Sequence, residues 1–242
     1  MTSFSHAFSK SIICPILKLV KLKKLAIATL IVMVPSLATA IRFTQKNPVG
    51  DKVIQIIDGD TFKLENKQTI RLSSLDAPAL DKCMGQEAKR ALSKLILNKR
   101  VILLEPYADR YGRVMALVLS DGRIINEIMI RNGYAVDTGD NPSAKKALRD
   151  ANDYARDHQL GIFDEKCSQT IPPNPDCVIK GNHDQRQNRP LYSYPGCTNY
   201  NRTVIDVWKE DEWLCSEEEA LNAGYAKSGD CNTNYPYISK TP

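Results

Sequence analysis

Short β-rich segments alternate with helical ones between about Asp51 and Phe163, and this alternation constrains the fold more than any other feature of the 242-residue chain. Two of the segments flank Asp58-Gly59, a dipeptide that favours a tight turn between strands. A helical pattern with one apolar stripe follows, and strand-like segments then return before two further helices. The order predicts the α+β class, with a five-stranded β-barrel of the oligonucleotide-binding (OB) type and three helices.

The period of the apolar residues locates each element of this barrel. Alternation with a period of two indicates strands, whereas apolar residues three and four positions apart indicate helices. Asn141-Pro142 predicts the start of the third helix, with asparagine as the N-cap and proline at the first helical position. The predicted strands are Val53–Ile57, Thr61–Leu64, Gln68–Leu75, Val101–Leu104 and Val114–Leu119, and the predicted helices are Gly85–Leu97, Ile124–Asn132 and a third with Ala147, Leu148, Ala151 and Ala155 facing inward.

The first 40 residues have the pattern of a secretory signal peptide. Lys21, Lys23 and Lys24 precede the apolar run Leu25–Val34, and Ala38-Thr39-Ala40 supplies the small residues of a cleavage site. We expect cleavage after this tripeptide and a secreted or periplasmic mature chain. The apolar run is shorter than the roughly 20 residues that span a bilayer. A membrane anchor, and with it membrane association, is the alternative if the segment is not cleaved.

Overall charge does not indicate a polyanionic partner. The formal net charge is +5, but residues 1–40 contain five lysines and no acidic residue, so the rest of the chain has 28 basic and 28 acidic residues. Any phosphate-binding site must therefore be local.

Cysteines and a proline-rich segment define the remaining organisation. An even number of cysteines in an exported chain predicts disulfides, with the connectivity left open. Ile171–Pro175 is a stiff linker, after which tyrosine, asparagine and cysteine become more frequent. We predict a signal peptide (1–40), a barrel domain (41–168), a linker (169–176) and a small disulfide-linked module (177–242). The six cysteines after the leader are Cys83, Cys167, Cys177, Cys197, Cys215 and Cys231.

Three clusters in the barrel domain carry residues suited to phosphate chemistry: Asp58–Thr61, Arg71 with Asp76–Pro78, and Asp109–Arg113. Carboxylates could hold a hard cation such as Ca²⁺, and arginines could bind a phosphate through paired hydrogen bonds. A cation facing two arginines suits phosphodiester hydrolysis. Taken singly, each cluster is more often a turn or a solvated residue, so the argument depends on their joint occurrence.

In this order and spacing, four motifs resemble the staphylococcal nuclease (thermonuclease) family. The resemblance extends over about residues 51–163 and implies a five-stranded OB barrel with three helices. It also implies a Ca²⁺-dependent endonuclease that hydrolyses the phosphodiesters of DNA and RNA. The motifs are Val53–Thr61, Ile70-Arg71-Leu72 with Leu75-Asp76-Ala77-Pro78, Gly85-Gln86-Glu87-Ala88, and Asp109-Arg110-Tyr111-Gly112-Arg113.

The resemblance also implies roles for individual residues. Asp60 and Asp76 would be carboxylate ligands of Ca²⁺, and Thr61 would contribute its backbone carbonyl. Arg71 and Arg113 would bind and stabilise the attacked phosphate. The nucleotide would be contacted by the residues Arg110 and Tyr111.

Ala79 departs from the family pattern, in which a glutamate serves as the proposed general base. Loss of a positioned base lowers a rate by about 10²–10⁴. Asp81 could replace it, a cation could suffice without a side-chain base, or the domain could bind nucleic acid and barely cut it. A second departure is the lack of evident nucleotide-side tyrosines in Ala135–Thr138.

The C-terminal module resembles a small module appended to bacterial nucleases and, distantly, the zinc-binding domain of the Ada DNA-repair protein. Each cysteine pair of that domain is reduced here to one cysteine, so the resemblance implies Cys197–Cys231 as a disulfide in place of metal. Cys177–Cys215 and Cys83–Cys167 would then pair. A four-cysteine zinc site is the alternative, and His183 is interpreted as a surface loop residue.

The leading hypothesis is an exported, monomeric, Ca²⁺-dependent nuclease that acts on DNA and RNA and needs no small-molecule cofactor. A nucleic-acid-binding barrel with impaired catalysis is the first alternative, because of Ala79. A cell-envelope interaction protein that uses the barrel only as a scaffold is the second.

Overall fold

The computed structural model describes residues 50–184 and 189–231, with only the backbone of Asp184 included. The predicted signal peptide lies outside the described residues. Within those ranges, no helix combines the length and apolar composition needed to cross a bilayer.

The N-terminal part of the described chain is a closed five-stranded barrel, which confirms the predicted OB-type fold. The strands follow the order β3-β2-β1-β5-β6, and β3 pairs in parallel with β6 to close the barrel. The elements are β1 (Asp51–Ile56), β2 (Thr61–Leu64), β3 (Thr69–Leu72), β4 (Leu75–Asp76), α1 (Gly85–Ile96), β5 (Arg100–Ala108), β6 (Val114–Ser120), β7 (Arg123–Ile124), α2 (Ile125–Arg131), β8 (Val136–Asp137) and α3 (Lys145–Asp157).

One apolar core fills the barrel and the space beneath its helices. Alternate residues of β2 and β3 point inward, as a period of two requires, and α1 contributes the buried stripe Ala88, Leu92 and Ile96. Buried Asn126 of α2 joins this helix to the strands, because its side chain accepts from the Val118 N–H and donates to the Ser73 carbonyl.

The third helix begins later than predicted. α3 starts at Lys145, because the Asn141 side chain first caps a separate turn by accepting the N–H groups of Ser143 and Ala144 at 2.9 and 3.1 Å. Leu148, like Ala151 and Ala155, is buried as predicted. The prediction that Ala147 faces inward is wrong, since this residue is exposed.

The C-terminal part forms a second, smaller sheet of four strands in the order β13-β10-β11-β14. Its own core contains Ile179, Tyr192, Leu214 and Tyr225. The elements are β9 (Ser168–Gln169), β10 (Ile179–Asp184), β11 (Arg189–Ser193), β12 (Ile205–Asp206), β13 (Glu212–Leu214), α4 (Glu217–Asn222) and β14 (Ala226–Lys227).

The three predicted disulfides are confirmed: Cys83–Cys167, Cys177–Cys215 and Cys197–Cys231. The alternative of a four-cysteine zinc site is therefore wrong for these residues. The interpretation of His183 as a loop residue is also wrong, because it lies in β10 and its backbone N–H donates to Asp211 at 2.9 Å.

A third, small core joins the C-terminal part to the barrel. Trp208 is buried against Ile162 and the disulfide-bonded Cys167, and Cys83 packs at the edge of this cluster. Near this cluster, β9 pairs with β12, and the Val207 N–H donates to the Cys167 carbonyl at 2.9 Å. These contacts fix both parts against each other, whereas the predicted domain boundaries stay predictions.

The Cys83–Cys167 disulfide closes a long loop, because its cysteines are 84 residues apart. In the chain-entropy model, a loop of this length stabilises by about 4 kcal/mol. We expect Cys83→Ser with Cys167→Ser to lower the free energy of unfolding by roughly this amount, measured by urea denaturation. The matched pair Cys197→Ser with Cys231→Ser should affect the barrel transition less. Equal effects of the two pairs would contradict a specific role in holding the barrel.

Candidate active site

The turn between β1 and β2 sets the position of the first acidic cluster. The N–H groups of Ile57 and Asp58 both donate to the Thr61 carbonyl, at 2.8 and 3.3 Å. Gly59 lies so close to its neighbours that an added Cβ would be 2.6 Å from the Cβ of Ala88 and 2.8 Å from that of Ala77. Glycine is therefore required for this turn to pack against α1 and the loop after β4.

Strand register brings Arg71 beside Asp60. Thr61 of β2 is the register partner of Arg71 on β3, and the Leu72 N–H donates to the Asp60 carbonyl at 2.8 Å. The Asp60 carboxylate is buried and accepts from Arg71 Nη1 at 2.5 Å, from the Thr61 hydroxyl at 2.6 Å and from the Ala77 N–H at 3.2 Å. Sequence neighbours and distant residues thus both orient this carboxylate.

The second predicted carboxylate reaches the same guanidinium. Asp76 lies at the end of β4, where pairing with Val136 of β8 fixes its backbone. Arg71 Nη2 donates to Asp76 Oδ1 at 2.7 Å, so one guanidinium bridges the two carboxylates predicted to hold a cation. Asp76 is 46% exposed whereas Asp60 is 2% exposed, so the pair opens to solvent on the Asp76 side.

Burial raises the pKa of Asp60 from 3.8 to about 7, although the positive charge of Arg71 acts in the opposite direction. The single guanidinium therefore does not fully offset the cost of desolvating this carboxylate. Additional positive charge at this position would favour the ionised form.

The third cluster forms a turn that holds Arg113 on the same face of the barrel. Asp109 accepts from Arg113 Nε at 2.7 Å and from the backbone N–H groups of Tyr111 and Arg113 at 2.8 and 2.9 Å. Tyr111 is 68% exposed, and the guanidinium of Arg110 lies 4.8 Å from its ring centroid. The aromatic ring and two arginines thus form an exposed group suited to stacking on a base and binding phosphate.

The two arginines lie near one another along the barrel edge. Arg71 is the register partner of Met115 on β6, and Arg113 is the residue directly before this strand, where its carbonyl accepts the Asp109 N–H at 2.9 Å. Continued alternation from Met115 would place both arginine side chains on one side. The hydrogen bond with Asp109 raises the pKa of Arg113, and the negative charges of Asp109 and Asp60 raise it further. Arg113 is therefore positively charged and within electrostatic range of the carboxylate that Arg71 contacts.

The donor set fits a hard cation only in part, because both carboxylates already accept from Arg71. Ca²⁺ takes about six to eight oxygen ligands, many of which can be water or substrate. Asp60 and Asp76 supply carboxylates, but the Thr61 carbonyl already accepts two backbone N–H groups. Across residues 50–184 and 189–231, no cluster of three or more His, Cys, Asp or Glu side chains is arranged for a metal. Additional ligands would have to come from water or phosphate oxygens.

The loop after β4 contains Ala79, at the position of the family's glutamate, and Asp81, the candidate replacement base. Ala79 is exposed, and its carbonyl accepts the Lys82 N–H at 3.0 Å. Gly85 allows this turn to approach α1, because a Cβ there would collide with the same carbonyl. Asp81 is exposed, and among the described residues it has no hydrogen bond to Arg71 or to either carboxylate. Its role as a base stays a prediction.

A cleft beside Asp76 contains residues that the sequence did not indicate. It has a volume of about 540 Å³ and lies between the loop after β4 and the C-terminal part. Its charged residues come from positions far apart in the chain, so no local motif could have revealed them. The residues that line this cleft are Asp76, Ala77, Pro78, Ala79, Lys82, His183, Arg189, Pro190, Trp208, Lys209 and Glu210.

The chain is similar to one protein family and to several curated proteins, including two that are described as uncharacterized endonucleases. Residues 69–165 match the family model described as Staphylococcal nuclease homologue. The chain is 39% identical over 100 residues to an uncharacterized protein of Bacillus anthracis, covering 36% of this chain and 47% of that protein. It is 36% identical over 88 residues to an uncharacterized endonuclease of Haemophilus influenzae, covering 35% and 49%. It is 31% identical over 91 residues to an uncharacterized endonuclease of Escherichia coli, covering 36% and 60%.

These matches support a nuclease-type domain similar to staphylococcal nuclease. The chain spans about half the length of these curated relatives. The family match includes Arg71, Asp76 and Arg113, whereas Asp60 precedes it. The similarity of the C-terminal part to the Ada zinc-binding domain stays a prediction.

The raised pKa of Asp60 generates a test of this site. The unfolded chain ionises this group near 3.8 and the folded chain near 7. Its contribution to stability is therefore complete below about pH 4 and is lost as the pH rises through about 7. In chelator, Asp60→Asn should be more stable than the wild type at pH 8, by roughly 4 kcal/mol at most, given about 1.4 kcal/mol per pKa unit. The advantage should be much smaller at pH 4.

Thermal unfolding followed by circular dichroism measures this difference. Ca²⁺ should raise the melting temperature of the wild type and not that of Asp60→Asn. The exposed Asp121→Asn serves as the control and should show no gain at pH 8. A stability difference that does not change with pH would contradict the ionisation cost, and equal stabilisation by Ca²⁺ would contradict Asp60 as a ligand.

Proposed function

We propose that this protein is an exported, Ca²⁺-dependent nuclease that hydrolyses phosphodiester bonds of DNA and RNA. The observation that carries the proposal is the Arg71 guanidinium bridging Asp60 and Asp76, with Arg113 on the same face. The family match and the endonuclease relatives support the general class.

Each side chain has a role that follows from its position. Asp60 and Asp76 would hold the cation, and Thr61 would contribute its carbonyl if the turn hydrogen bonds loosen. Ca²⁺, when bound, supplies positive charge that stabilises the developing negative charge of the attacked phosphate. Arg71 and Arg113 would donate hydrogen bonds to the same phosphate, a geometry in which paired N–H donors match its oxygens.

Contacts outside the attacked phosphate would come from the exposed turn. Tyr111 presents a ring on which a base can stack, and Arg110 adds a positive charge beside it. Neither residue reads base identity in this arrangement. Because these contacts involve no sugar 2′-hydroxyl, the group that distinguishes RNA from DNA, activity on both is the expected specificity.

Deprotonation of the attacking water is assigned to Asp81, the acidic residue nearest in sequence to Ala79. The short side chain is exposed on the turn that follows Pro78. It would have to approach the phosphate when substrate binds. The alternative function, a nucleic-acid-binding barrel with impaired catalysis, is favoured by the observation that Ala79 cannot take up a proton.

Export is part of the proposal. The disulfides Cys83–Cys167, Cys177–Cys215 and Cys197–Cys231 support it, because such bonds persist in oxidising compartments. The signal-peptide pattern in residues 1–40 would direct export, and an uncleaved membrane anchor is the alternative.

The decisive measurement is cleavage of single-stranded DNA and RNA by the purified protein. We expect cutting with Ca²⁺ and none with chelator. Arg71→Ala and Arg113→Ala should each lower kcat by about 10²–10³, as loss of a transition-state hydrogen-bond donor does. Arg123→Ala, on β7, is the matched control and should be unchanged. Tight binding of DNA by the wild type without cutting would instead support the binding-protein alternative.

A second experiment tests the base. Asp81→Asn should lower kcat by about 10²–10⁴ if this carboxylate takes the proton. Ala79→Glu should raise kcat if a base is what the site lacks. Asp140→Asn, another acidic residue in an exposed loop, is the control. Full activity of Asp81→Asn would contradict the assignment.

A further inference from the structure

The cleft beside Asp76 opens directly onto the candidate active site, because this residue belongs to both. Arg71 donates a hydrogen bond to the Asp76 carboxylate at 2.7 Å, and Asp76 also lines the cleft. One wall is the loop after β4, and the other wall comes from the C-terminal part. A volume of about 540 Å³ is in the range of sites that hold a nucleotide-sized ligand.

Basic side chains stand on both walls of this cleft. Lys82 comes from the barrel side, and Arg189 and Lys209 come from the C-terminal part. Lys209 Nζ is 3.2 Å from Asp206, a residue outside the cleft lining. The Asp206 carboxylate therefore offsets part of the positive charge of Lys209. Among described residues, Lys82 and Arg189 form no ion pair.

Both acidic residues of the cleft already have positively charged or ionisable partners. Asp76 accepts from Arg71, and Glu210 lies 3.6 Å from His183 Nε2. Counted over the lining, the three basic side chains exceed the two acidic ones by one, and they come from both walls. An anionic chain is the ligand class that satisfies cations on both sides of a narrow groove.

The basic residues are held in place by the small core that joins the two parts. Lys82 directly precedes Cys83, and Lys209 directly follows Trp208. Cys83 is bonded to Cys167, against which Trp208 is buried. The Cys83–Cys167 disulfide and the packing of Trp208 thus fix the backbone positions of these two lysines. The two walls are therefore preorganised before any ligand binds.

We propose that the C-terminal part forms the second wall of the substrate cleft. Lys82, Arg189 and Lys209 bind phosphates of the nucleic-acid strand next to the phosphate that is attacked. This inference rests on the proposed nuclease function and extends it, since it gives the C-terminal part a role in substrate binding. The contacts are to backbone phosphate, so they are independent of base sequence.

The test measures binding of a fluorescent single-stranded 12-nucleotide DNA to the full chain in chelator, over a range of salt concentrations. Each phosphate contact to a single strand contributes about 0.7 to the slope of log affinity against log salt. Affinity falls with salt, so this slope is negative. The triple variant Lys82→Gln, Arg189→Gln, Lys209→Gln should reduce the magnitude of the slope by about 2. The control replaces Lys145, Lys146 and Arg149 by Gln.

The control removes the same charge from the exposed surface of α3 and should leave the slope within about 0.5 of the wild type. With Ca²⁺, the cleft variant should raise KM for the 12-mer more than the α3 control variant does. Arg189 is exposed, so replacing it should leave the fold intact. Arg189→Gln alone should reduce the magnitude of the slope by about 0.7.

The outcomes separate this inference from the proposed function. A cleft variant with the wild-type slope would overturn the inference, while Arg71-dependent cleavage would leave the nuclease proposal intact. Equal losses in the cleft and control variants would also overturn it, because net charge alone would then account for binding. A wild-type protein that neither binds nor cuts DNA would overturn both.

Discussion

One guanidinium that bridges two carboxylates is the interaction on which the rest of this structure depends. Arg71 can reach Asp60 only because β2 and β3 pair in one register, and it can reach Asp76 only because β4 pairs with β8. A slip of one residue in a strand turns its side chains to the opposite face and would remove the bridge. The strand pairings that order this end of the barrel therefore also assemble the site. Burial of the Asp60 carboxylate opposes folding where that group is ionised.

The barrel could be predicted from local patterns, because strand periodicity and turn residues act over short distances. The motifs also bring Asp60, Arg71 and Asp76 together, but as cation ligands facing a phosphate-binding arginine rather than as ion-pair partners. Asp60, Arg71 and Asp76 lie within one hairpin and its continuation, so their meeting follows from the predicted pairing. The start of α3 could not be predicted, since Asn141 and Pro142 suit a cap and a turn equally well.

Contacts between distant parts of the chain were outside the reach of such patterns. The disulfide partners followed from a resemblance rather than from spacing, which left the connectivity open. Lys82 and Lys209 meet in one cleft although they lie in different parts of the chain, and neither belongs to a motif. The sequence does not indicate that His183 lies in a strand, because β10 contains glycine, asparagine and histidine and has almost no apolar alternation.

The Cys83–Cys167 bond turns everything between those cysteines, including α1, α2 and α3, into a covalent ring. A trypsin-like protease that cuts the exposed turn at Arg110 would open the ring without releasing a fragment. The carboxylate side of the site, from Asp60 to β4, and the Arg113 side, directly before β6, would stay attached to one another. Nicked molecules would therefore migrate as intact protein on a non-reducing gel and separate into two pieces only after reduction.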